Sequence, residues 1–130
     1  MILVVDDNDS VRKAVVRLLN AAGFASRGVA SGQEFLQSWL DSQPDCLILD
    51  LQMPGIPGVE IQKALRLTGA RTAVIIITGY DAPGTREECM EGGAVDYLCK
   101  PLAARSLLDA VARVLGSRSG ESKSDGELTN

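Results

Sequence analysis

The chain contains no histidine. A histidine base or histidine metal ligand, and with it a Ser-His-Asp triad, is therefore excluded within this chain. Cysteine is scarce. Cys46, Cys89 and Cys99 are an odd number without the paired spacing of a metal site. Cys46 and Cys99 fall in strand-like runs, where a free thiol behaves as a small apolar side chain. This usage fits a reducing, cytoplasmic compartment. Positive charge is not in excess: 13 Lys and Arg stand against 17 Asp and Glu, a net charge of −4. That leaves no electrostatic footprint for direct nucleic-acid contact or for an anionic membrane. No apolar run approaches the roughly 20 residues that cross a bilayer. The first residues lack the basic segment of a signal peptide.

What is present is enough for one domain with a real core. The chain has 130 residues, 45% hydrophobic and 23% charged, which is globular rather than disordered. Four apolar runs end on polar residues. Ile2-Leu3-Val4-Val5 runs into Asp6-Asp7, and Cys46-Leu47-Ile48-Leu49 into Asp50. Ala73-Val74-Ile75-Ile76-Ile77 runs into Thr78-Gly79, and Val95-Asp96-Tyr97-Leu98-Cys99 into Lys100-Pro101. Residues 25–29 read weakly as a further strand, second in chain order.

Helical patterns alternate with these runs. Val11, Val15, Leu18, Leu19 and Ala22 recur at helical spacing after a candidate cap at Asp9-Ser10, and Gly23 stops them. Ser31 and Glu34 form a capping box before Phe35, Leu36, Trp39 and Leu40. Gly58 precedes a helix with Ile61, Ala64 and Leu65 on one face, ending at Gly69. A short helix is expected over 83–91, before Gly92-Gly93. Leu107, Leu108, Val111, Val114 and Leu115 mark a fifth, ending at Gly116. Such alternation predicts an α/β fold: a five-stranded, doubly wound parallel sheet with right-handed crossovers. The strands are apolar without alternation, as expected when both faces are covered. Residues 117–130 are rich in Ser, Gly and charge and read as a flexible tail or linker, so the domain is placed at 1–116.

In such a sheet, ligands bind outside the carboxyl ends of the strands. Parallel neighbours would bring three carboxylates, a hydroxyl and an ammonium to one edge, a site for a divalent cation and a phosphoryl group. Each residue alone has a plainer reading. Asp6-Asp7 can be a solvated acidic loop, Asp50 a turn former, Thr78 a strand residue by propensity, Lys100 a surface charge. The loop Met53-Pro54-Gly55 keeps a helix from starting at once after Asp50 and is expected to leave that carboxylate exposed. Lys100 precedes a proline in a tight turn, where a cis bond is admissible. The joint occurrence of all five at strand ends is what carries weight.

With those motifs in order, the chain resembles the receiver domains of two-component response regulators over residues 2–116. The stretches 11–13, 53–58 and 93–98 look most like receivers that precede LuxR-type DNA-binding domains. The resemblance implies a (βα)5 flavodoxin-like fold with Asp50 as phosphoacceptor for a sensor histidine kinase. It implies Mg2+ held by Asp7, Asp50 and the backbone carbonyl of Gln52, with Asp6 acting through water or as a further ligand. Lys100 and Thr78 would each reach a phosphoryl oxygen. Thr78 and Tyr97 would form the switch that remodels the face of the fourth helix, fifth strand and fifth helix. A phosphorylation-dependent homodimer and transcriptional output through a C-terminal DNA-binding domain are implied as well. The sequence departs from common receivers at Asn8, where many carry a third acid, at Leu102, and at Tyr80, a position that tunes dephosphorylation. Beyond self-phosphorylation and autodephosphorylation, no enzyme activity is expected.

Two other readings stay open from sequence. Asp7-Asn8-Asp9 mimics the start of the haloacid-dehalogenase phosphatase motif, but Val11 stands where that motif needs Thr. A receiver fold can also bind a partner without being phosphorylated.

Overall fold

The apolar runs assemble into one sheet of five parallel strands in the order β2-β1-β3-β4-β5. The strands are β1 Ile2–Val5, β2 Ser26–Val29, β3 Cys46–Asp50, β4 Ala73–Thr78 and β5 Asp96–Cys99. They alternate with α1 Asp9–Ala21, α2 Gly32–Asp41, α3 Gly58–Leu67, α4 Thr85–Glu91 and α5 Ala104–Val111. This is a computed structural model that describes residues 1–41, 43–53, 55, 58–69 and 71–116. The tail reading for 117–130 lies outside the described residues, as do Pro54, Ile56, Pro57 and the Leu40 side chain.

The sheet is sealed on both faces. Leu3, Val5, Leu47, Leu49, Val74, Ile76 and Tyr97 point to one face and pack with Phe35 and Trp39 of α2, Ile61 and Leu65 of α3, and Cys89 of α4. Ile2, Val4, Cys46, Ile48, Ile75 and Ile77 point to the other and meet Val15 and Leu19 of α1 with Leu107, Ala110 and Val111 of α5. Each fully buried Ile, Leu or Val contributes about 1.5–3 kcal/mol relative to exposure. The continuous apolar runs follow from this double cover.

Several local expectations change. The cap of α1 is Asn8, whose side-chain oxygen accepts from the Val11 N–H at 3.0 Å. Asp9 and Ser10 already lie inside the helix, so the departure at Asn8 has a structural use. In the capping box, the Glu34 N–H donates to Ser31 Oγ at 3.1 Å, while Glu34 Oε1 accepts from Ala30 N–H at 2.7 Å. The fifth helix is not uniform: beyond Val111 the chain makes a π-helical turn, Ala112–Gly116. That turn keeps Leu115 on the core and lets Arg113 pair with Asp96 at 2.9 Å. Leu36 points outward at 40% exposure, since Phe35 and Trp39 already fill the buried stripe of α2. Cys99 is exposed rather than packed, being on the outer strand of the sheet. The apolar rule also fails at β2, the other edge, where Arg27 and Gly28 are exposed.

Candidate functional site

Register places the polar residues together. Val5 pairs with Leu49 across β1 and β3, so the next residues, Asp6 and Asp50, leave the sheet side by side. Asp50 pairs with Ile77, and Thr78 with Cys99, which brings Lys100 to the same edge. Lys100 Nζ lies 3.0 Å from Asp6 Oδ2 and 3.4 Å from Asp50 Oδ2. Asp7 completes the group: one carboxylate oxygen from each of Asp6, Asp7 and Asp50 lies within 4.8 Å of the others. The Lys100–Pro101 peptide bond is cis.

Asp50 is not exposed, as the loop after it suggested, but 2% exposed. Burial, then the nearby Asp6 carboxylate, pushes its pKa above the ordinary Asp value, although the Gln52 N–H at 3.1 Å and Lys100 act in the opposite sense. Burial alone would pull Lys100 down; its contacts with Asp6 and Asp50 outweigh this and hold it above the usual lysine value. Asp6 is wholly buried. Its Oδ1 accepts the Asn8 N–H at 2.9 Å. Its Oδ2 has the charge of Lys100 nearby but no aligned hydrogen bond. A buried carboxylate oxygen that has one ammonium beside it but no aligned hydrogen bond, next to two further carboxylates, belongs to a donor set suited to a hard divalent cation.

Thr78 is buried but its hydroxyl does not face Asp50. It donates to the Tyr80 carbonyl at 2.9 Å and accepts the Tyr80 N–H at 3.1 Å. Tyr97 is already turned inward, 4% exposed, with its hydroxyl on Asp81 Oδ1 at 2.9 Å. Tyr80 is 66% exposed.

Other contacts were not foreseen. Gln52, expected through its backbone carbonyl, also uses its side chain: Oε1 accepts the Gly79 N–H at 2.9 Å and ties the loops after β3 and β4 together. Arg12 donates to the Asp6 carbonyl at 2.9 Å and pairs with Asp9. It can lie there because residue 28 is glycine; a Cβ would sit 2.7 Å from Arg12 Cγ. Gln62, 4% exposed on α3, donates to the Cys89 carbonyl of α4 at 3.0 Å. The helical spacing of Arg12 from Asp9 was available in the sequence, but none of the other pairings has a local signal.

The chain matches a known family along almost its whole length. Residues 2–112 match the family model of the response regulator receiver domain. The chain belongs to that family. Among curated relatives, this receiver is 38% identical over 118 residues to the transcriptional regulatory protein FixJ of Azorhizobium caulinodans, covering 91% of this chain and 56% of that one. The chain thus spans about half the length of the curated relatives it matches. Among solved structures it is similar to a response regulator receiver protein from Burkholderia phymatum, at 43% identity and a TM-score of 0.78, covering 88% of this chain and 94% of that one. It is also similar to a LuxR-family DNA-binding response regulator from Staphylococcus aureus, at 25% identity and a TM-score of 0.81, covering 87% and 96%. The receiver is therefore of the two-component type and related to transcriptional regulators. Among the described residues, no helix is long and apolar enough to cross a membrane.

Proposed function

We propose that this receiver takes a phosphoryl group onto Asp50 from the phosphohistidine of a sensor histidine kinase. The observation that carries the reading is the pairing of Asp50 with Lys100 at 3.4 Å on a buried strand edge that also holds Asp6 and Asp7. The chain has no histidine of its own, so the donor comes from a partner or a small phosphodonor such as acetyl phosphate. An Asp50 carboxylate oxygen forms the bond to phosphorus while the P–N bond of the donor breaks, and the electron pair leaves on the imidazole nitrogen. The transition state is loose, so the protein contributes position and charge rather than covalent chemistry. Lys100 supplies positive charge to the phosphoryl oxygens. Mg2+ would neutralise further charge there, held by Asp6, Asp7, Asp50 and the Gln52 carbonyl. Thr78 gives up its bond to Tyr80 to donate to a phosphoryl oxygen, and the face of α4, β5 and α5 responds. Thr78→Ala should therefore still accept phosphate but respond weakly.

The folded receiver is assigned to residues 1–116, in the cytoplasm where its kinase acts. Output would be transcriptional, through a C-terminal DNA-binding domain, with a phosphorylation-dependent homodimer as the active form. The likeness to FixJ, a transcriptional regulatory protein, and to the LuxR-family DNA-binding regulator supports the transcriptional output. Intact-mass spectrometry after incubation with acetyl phosphate and Mg2+ tests the central step. One added phosphoryl group, lost in Asp50→Asn, is expected. Uptake on another residue would remove the assignment; no uptake would favour a receiver fold that only binds a partner.

A further inference from the structure

The Thr78 hydroxyl is engaged by the Tyr80 backbone, yet Tyr97 is buried and turned inward. Its position is therefore set by something other than a Thr78 hydroxyl drawn toward Asp50. The contacts around the ring identify what. The hydroxyl donates to Asp81 Oδ1 at 2.9 Å, from the loop that follows β4. The Arg86 guanidinium lies 5.6 Å from the ring centre and donates to the Tyr97 carbonyl at 3.3 Å. Burial and the Asp81 carboxylate together push the Tyr97 phenol up to about 12, so it remains a donor at any working pH.

The start of α4 needs such a grip. Its cap residue, Gly84, has φ 84° and no side chain to hold the first turn. At its other end, Gln62 holds the Cys89 carbonyl. Tyr97, gripped by Asp81 before the helix and by Arg86 within it, fixes where the helix begins.

We propose that Asp81 is a positioning residue that keeps Tyr97 inward and α4 in place, independently of the Thr78 hydroxyl. This rests on the receiver reading, in which Tyr97 is part of the switch. One half of that switch is then preset by a loop carboxylate, and the phosphoryl group has only the Thr78 half left to move. A hydrogen bond to a charged acceptor contributes enough to bias two such rotamers about tenfold.

The chain has two tyrosines, so 3-fluorotyrosine labelling of the full chain gives two fluorine signals. Tyr80 is exposed and serves as the internal reference for a solvent isotope shift. In the wild type, Tyr97 should show little isotope shift. Asp81→Ala should lower its inward-to-outward ratio about tenfold and introduce a shift like that of Tyr80. Asp81→Asn, which keeps an acceptor oxygen without the charge, should restore the wild-type signal in part, and Thr78→Ala should leave it unchanged. An Asp81→Ala signal identical to wild type, or release of the ring by Thr78→Ala alone, overturns the proposal. Tyr97→Phe checks the same bond from the other side: faster amide exchange over residues 81–86 supports it, and unchanged exchange contradicts it. Beryllofluoride with Mg2+ is added last. Failure of the wild type to bind it would count against the receiver reading and leave the Asp81 result as measured.

Discussion

Leu47, Ile48 and Leu49 are wholly buried, and one residue on, Asp50 is 2% exposed. The middle of β3 and its tip are thus both buried, with opposite energetic signs. Apolar burial stabilises the sheet by about 25 cal/mol per Å2. The same burial at the tip works against an ionised carboxylate, which has a second carboxylate, Asp6, beside it and one lysine shared between them. A receiver needs both regions. The buried middle fixes the strand ends in register, and the tip holds negative charge that one lysine compensates only in part until a cation arrives.

The comparison can be broken most severely in the middle. Leu47→Ala should cost about 4 kcal/mol in guanidinium denaturation, as a large-to-small change in a closed core. Mg2+ should recover none of the loss beyond its effect on the wild type. Lys100→Met acts at the tip and leaves Asp6 and Asp50 facing each other. Because the lysine side chain is 21% exposed, the loss should be smaller, about 2 kcal/mol. Here Mg2+ should recover much of it, and the contrast in rescue separates the two regions. Asn8→Ala removes the α1 cap beside the acidic pair without touching a carboxylate. It should cost about 1 kcal/mol by thermal melting.

The smallest expected effect has the opposite sign. The folded pKa of Asp50 is raised above the ordinary aspartate value of 3.8. The native state therefore binds more protons than the unfolded state in the window above that value, and the stability contribution of Asp50 falls as pH rises through it. Asp50→Asn should melt slightly higher than wild type at pH 7. The gap should close in melts run below pH 3.8, where both states of the wild type are protonated.

Much of this division was legible in the sequence. Cys46 to Leu49 could hardly be other than a covered strand, and Asp6, Asp50, Thr78 and Lys100 each follow such a run. Continuous apolar stretches report burial on both faces, and parallel order then brings their ends together. The burial of Asp50 was not legible from the loop that follows it; its ion-pair partner Lys100 lies 50 residues away in sequence. Nor were the Gln52 bond to Gly79 and the Tyr97 bond to Asp81, which join segments distant in sequence. The edge strands Ser26–Val29 and Asp96–Cys99 broke the apolar rule because each has a strand neighbour on one side only. Asn8 was counted as a missing acid, and the structure gives it work as a helix cap.

The central claim is that the tip of β3 holds a buried carboxylate with its ionised form disfavoured, poised for a cation. Carbon-13 NMR titration of the Asp50 carboxyl, with and without Mg2+, tests this most directly. Asp50 should titrate above the ordinary aspartate range without metal, and its midpoint should fall when Mg2+ is added. An Asp50 midpoint at or below the ordinary range without metal, or one that Mg2+ does not move, would contradict it.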